Sequence, residues 1–87
     1  MYLIEFSDKA REIQLPKIPK NMRIRILNAI QERLTVNPEE RGKPLIKEWK
    51  DHRRIRVGDY RVIYKIEKER VVVLVVEIDH RKDVYLK

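Results

Sequence analysis

The chain has 87 residues, 43% hydrophobic and 40% charged, with 21 Lys and Arg against 14 Asp and Glu for a net charge of +7. That length suits one domain, residues 1–87, and a globular apolar share inside an unusually charged shell argues against disorder. With no Cys and only two His, disulfides, thiolate metal sites and cysteine nucleophiles are excluded, and nucleic acid or an acidic protein leads the list of partners.

Tyr2, Ile4 and Phe6 alternate with Leu3 and Glu5, so Met1 to Phe6 reads as an opening strand rather than as a signal peptide. Ser7 supplies an N-cap for a short helix, Asp8 to Leu15, which Pro16 ends. Pro19 starts a second helix in which Met22, Ile26, Ile30 and Leu34 recur every four residues, with Ile24, Leu27 and Ala29 widening the stripe until Asn37 and Pro38 stop it. Pro38 to Pro44 is a turn-rich connection around Gly42, and Leu45 to Asp51 leads to the sheet with Trp49 as a core anchor.

From Arg54 to Val57 a period of two sets a basic face against an apolar one, and Gly58 and Asp59 make a tight turn. Tyr60 to Ile66 is the next strand, with Tyr60 and Tyr64 on the core side, and Glu67 to Arg70 is a charged hairpin loop. Val71 to Ile78 is almost unbroken apolar sequence, which predicts a central strand covered on both faces. Asp79 to Lys82 breaks the run and Asp83 to Lys87 is a tail. The expected class is α+β: an N-terminal strand and an αα hairpin packed on a small, mostly antiparallel sheet with three consecutive C-terminal strands. No run reaches the roughly 20 apolar residues of a membrane span, so a cytoplasmic protein is expected. The scarcity of Ser, Thr, Gln and Asn beside abundant Glu, Lys, Arg, Ile and Val is thermophile-like.

Arg53, Arg54, Arg56, Arg61, Lys65, Arg81 and Lys82 fall in this three-stranded region. A solvated polar face is the plain reading of such charges, yet five are Arg with fewer acids among them, which favours a bound polyanion such as RNA. Arg grips phosphate through two hydrogen bonds and stays charged, so it positions phosphate and stabilises anionic oxygens without serving as a base. Proton transfer then falls to His80 or Tyr85, with Lys47, Lys50 and Glu48 behind them. His80 reads equally as a hydrogen-bonded strand-end histidine, Tyr85 as a stacking or packing residue, and His52 as surface. No phosphate loop, Ser/His/Asp set or paired carboxylate is present, and neither cofactor nor metal is called for.

RRIRVGDYRVIY at Arg53 to Tyr64, followed by the apolar strand and IDHRKDVY at Ile78 to Tyr85, resembles the RelE/ParE superfamily of toxin-antitoxin toxins, and the NPEERGKPL connection fits as well. RelE-like toxins cut messenger RNA in the ribosomal A site, and the resemblance implies attack by the substrate 2′-hydroxyl on the neighbouring phosphate. By that resemblance Arg54 and Arg56 match a basic pair on one strand, Arg61 the arginine of the next, and Arg81 and Tyr85 the C-terminal arginine and tyrosine. These five are the expected catalytic residues, with Lys50, Arg53 and His80 as RNA contacts. The bacterial prototype has lysines where Arg54 and Arg56 stand, and Arg does not readily release a proton. The ParE branch shares the fold but looks like gyrase inhibitors without nuclease activity, and a binding module without chemistry is a third reading. The resemblance also implies a RelB-like antitoxin laid over the basic face, a monomer alone, and a heterotetramer or larger complex with it.

Overall fold

The computed structural model describes residues 1–80. Five strands, β1 (Leu3–Phe6), β2 (Lys43–Pro44), β3 (His52–Val57), β4 (Tyr60–Glu67) and β5 (Val72–His80), form one sheet in the order β1-β5-β4-β3-β2. The meander β3-β4-β5 and the edge strand β2 are antiparallel. β1 lies parallel to β5, with Leu3 opposite Val72 and Phe6 opposite Val75, so β5 is an interior strand, although β4 and not β5 holds the middle of the sheet.

Alternation divides the sheet into two faces. Ile55, Val57, Val62, Tyr64, Val73, Val75 and Ile78 point into the core shared with the helices. Arg54, Arg56, Arg61 and Lys65 belong to the opposite face by the β3–β4 register. On β5 the pairing skips Val76 between Val75 and Glu77, a bulge that returns Ile78 to the helix side three residues after Val75. Two-sided burial of β5 is partial: on the other face Val72 is buried, whereas Leu74 is only half-buried. Val71 is not part of the strand; it sits in the turn at φ 55°, and β5 instead continues past Ile78 to His80.

The first helix departs from expectation at its end. A π-helical segment, Lys9–Gln14, passes into one α-helical turn, α1 (Leu15–Lys17), so Pro16 lies inside the helix. Proline is tolerated there because it occupies the first turn of α1, and the actual stop is Ile18, held extended (φ −85°, ψ 132°) by the following Pro19. Ser7 caps the start, its Oγ accepting from the Ala10 amide at 3.1 Å and donating to the Val76 carbonyl at 2.7 Å. Where β1 has ended, Gln14 takes its place at the β5 edge: Oε1 accepts from the Ile78 amide at 2.7 Å and Nε2 donates to Asp79 at 3.0 Å.

The second helix, α2 (Lys20–Leu34), buries Ile26, Ala29, Ile30 and Leu34 and packs Met22 beside them. Ile24 and Leu27 do not widen the stripe, being 49% and 37% exposed. Ile24 lies roughly 200° around the helix from Ile26, away from the sheet. Asn37, in the left-handed region at φ 53°, reverses the chain into α3 (Pro38–Arg41). Fully buried Tyr64 ties this connection to the sheet by donating to the Pro38 carbonyl at 2.7 Å. Gly42 makes that approach possible, since a Cβ there would stand 2.7 Å from the Arg54 carbonyl oxygen.

Trp49 is not a core residue. It sits half-buried on a 3-10 turn, Lys47–Trp49, within the β2–β3 connection, where its ring meets His52 edge-on at 5.2 Å. That connection loops beyond the sheet edge rather than between the layers, as connecting segments generally do. No helix among the described residues is long and apolar enough to cross a membrane.

Candidate nucleic-acid interface

The two-residue turn at Gly58 and Asp59 sets the geometry of the basic face. Val57 pairs with Tyr60, so Arg56 stands directly opposite Arg61, and Arg54 lies two residues along the same face opposite Ile63. Gly58 adopts φ 59°, which an ordinary residue enters only with strain, and a Cβ there would lie 2.7 Å from Met22 Cε. Slippage by one residue would turn the arginines into the core, so the turn and the apolar alternation together hold the face in place.

Directly opposed residues have Cβ atoms about 5 Å apart, and like charges at that spacing repel. Arg56 is exposed, whereas Arg54 and Arg61 are half-buried, with fully buried Ile63 on β4 opposite Arg54. Across β5, Asp79 is opposite Arg61 and Glu77 opposite Ile63. Glu77 accepts from Lys9 at 2.6 Å and Asp79 from Gln14 at 3.0 Å. Arg61 Nε is buried without a hydrogen-bond partner among the described residues. A desolvated guanidinium N–H in this position is costly unless an acceptor arrives, and a phosphate oxygen is the acceptor whose charge suits it.

The expected site residues do not all converge. Arg54, Arg56 and Arg61 share one face. Arg53 turns the other way, and its Nη1 donates to the Gly42 carbonyl at 2.9 Å beneath Tyr64. His80 is opposite Tyr60, ring edge to ring face at 5.1 Å, beside a cleft it shares with Ile13, Ile18 and Lys17 on the helix side. Lys50, which precedes β3, lines a separate cleft with His52 and Lys65, and His52 lies four residues along β3 from Arg56. Arg81 and Tyr85 lie outside the described residues.

Three cations beside this face escaped the sequence reading. Arg33, in the last turn of α2, donates Nη1 to the Arg56 carbonyl at 3.0 Å, and Arg41 and Lys43 stand at the near end of β3. Each looked like ordinary solvated charge because its neighbours come from different elements. Among the described residues no group of three His, Cys, Asp or Glu is placed to hold a metal ion.

An arginine-bearing β-meander, backed by helices and flanked by a parallel N-terminal strand, is the architecture that the comparisons with known proteins match. The model of the family described as the ParE toxin of the type II toxin-antitoxin system, parDE, matches residues 4–85. Toxin RelG of Mycobacterium tuberculosis is 32% identical over 84 residues, spanning 97% of this chain and 95% of that protein. The RelBE2 toxin-antitoxin complex from the same organism superposes with a TM-score of 0.84 at 31% identity, over 92% of this chain and 91% of that one. The isolated RelE toxin of E. coli shares the fold, with a TM-score of 0.77 at 24% identity over 99% and 93% of the two chains. The chain belongs to the RelE/ParE superfamily of type II toxin-antitoxin toxins.

Proposed function

We propose that this toxin is a ribosome-dependent endoribonuclease that cuts messenger RNA in the ribosomal A site and so stops translation in the cytoplasm. The observation that carries the reading is the shared face of Arg54, Arg56 and Arg61. Two guanidinium groups in direct register and a third beside them suit a phosphodiester, whose two non-bridging oxygens accept forked hydrogen bonds. In the proposed step the substrate 2′-oxygen attacks the adjacent phosphorus and the bond to the 5′-oxygen breaks. The products are a 2′,3′-cyclic phosphate and a 5′-hydroxyl end. The arginines hold the phosphate in line and stabilise charge on its oxygens.

The 2′-hydroxyl proton must leave and the 5′-oxygen must gain one, and arginine is unsuited to either transfer. The imidazole of His80 lies against Tyr60 on the helix side, which separates it from the arginine face. We therefore give proton transfer to Tyr85 or to a group of the ribosome, and a phosphate contact to Arg81. The relatives solved as toxin-antitoxin complexes support a RelB-like antitoxin as this toxin's partner, and we propose that it lies over the basic face in a heterotetramer or larger assembly. The toxin by itself is proposed to be a monomer.

Primer extension on a programmed ribosome complex, with the same message free in solution as control, tests the reading. Cleavage within the A-site codon only in the ribosome sample is expected. The matching family model carries the ParE name, which favours inhibition of DNA gyrase as a second reading. Intact message in both samples, together with loss of gyrase supercoiling, would establish that second reading instead.

A further inference from the structure

We propose that the open edge of β3 is a second phosphate-binding subsite, which holds the backbone of the RNA segment flanking the one engaged by the arginine face. This rests on the reading of that face as RNA-binding. β2 is only two residues long and pairs with Arg53 and Arg54, so among the described residues no strand pairs with this edge of β3 from Ile55 onward, where Arg33 donates to the Arg56 carbonyl. A cleft of about 340 Å³ occupies that edge. Arg33 enters it from α2, Arg41 from the end of α3, Lys43 from β2, and Arg54 and Arg56 from β3, around Ile55.

Among the described residues, five cations and no carboxylate line this cleft. Arg33, Arg41, Lys43 and Arg54 form no ion pair among the described residues. Gathering like charges costs stability, and a bound polyanion offsets that cost. The lining also indicates which polyanion. Among the described residues it has no aromatic ring to stack a base, and the apolar residue there, Ile55, is 5% exposed and offers no pocket for a hydrophobic side chain. Guanidinium forks without a stacking platform read a sugar-phosphate backbone and not its sequence. Arg54 and Arg56 belong to both the sheet face and the cleft, so an RNA strand crossing the face reaches the cleft by rounding the β3 edge.

The test is binding of a fluorescent twelve-uridine RNA by the full chain across a salt titration. For single-stranded RNA each lost phosphate contact lowers the slope of log affinity against log salt by about 0.7. The double variant Arg41→Gln/Lys43→Gln is expected to bind at least tenfold more weakly at low salt, with the slope reduced by about 1.4. Lys43→Gln alone should show about half that reduction in slope, and both variants should keep the wild-type circular dichroism spectrum. Arg61→Gln, on the face but outside the cleft, serves as the comparison. If Arg61→Gln weakens RNA binding while the double variant binds as wild type does, the subsite is refuted and the RNA-binding face stands. If neither change matters, both fail. Loss of binding to a polyglutamate peptide with RNA binding intact would assign the cleft to an acidic protein and overturn the proposal.

Discussion

Tyr64 joins the two layers at a single atom. Its ring lies in the core and its hydroxyl bonds the Pro38 carbonyl from 26 residues away. Removing the hydroxyl in Tyr64→Phe leaves that carbonyl without its donor and should cost about 1–2 kcal/mol of stability, measurable by denaturant unfolding. Burial raises the phenol above its ordinary pKa, only partly opposed by the charge of Arg53. The fold therefore favours the neutral phenol. Its contribution is complete below the unfolded value near 10 and is lost as pH rises through the higher folded value. Unfolding free energy measured above about pH 10 should thus fall more steeply in the wild type than in Tyr64→Phe. Equal slopes would mean that another group titrates. The core position of Tyr64 was legible from the alternation of its strand. Its bond to Pro38 was not, because no local pattern records a contact across so long a separation. Trp49 misled for a related reason: a large aromatic reads as core, but its place on a hairpin loop beyond the sheet edge decided otherwise.

At the scale of elements, the β5 edge shows how a helix can finish a sheet. β1 stops opposite Val75, and Gln14 supplies the acceptor that the Ile78 amide would otherwise lack. Gln14→Ala should therefore cost about 1–3 kcal/mol and speed hydrogen exchange at the Ile78 amide more than at Val73. Uniform acceleration along β5 would show that the edge opens only with the whole molecule. The β3–β4 hairpin was the most legible element, since Gly58 and Asp59 between alternating strands dictate both turn and register. From that register follows the shared face of Arg54, Arg56 and Arg61. The first helix was less so, because a proline reads as a stop, whereas a break between π-helical and α-helical turns places Pro16 at a tolerated position. The exposed Ile24 and Leu27 show the limit of counting apolar residues without their angle around the helix.

For the whole molecule, a net charge of +7 on 87 residues governs association more than folding. Binding to the ribosome should weaken between about 50 and 200 mM salt along a straight line of log affinity against log salt, as expected when cations displace counterions from phosphate. A flat response would point to apolar docking. The fold class and the basic face could be read from sequence because both depend on local periodicity. The cleft of Arg33, Arg41 and Lys43 could not, since four elements meet there only after the sheet has formed. The proposed cleavage depends on the arginine face, and single-turnover cutting of A-site message by Arg61→Ala is its test. A rate at least about 100-fold below wild type, with folding and ribosome binding retained, is the predicted result. Cleavage at the wild-type rate would contradict it and remove Arg61 from the site.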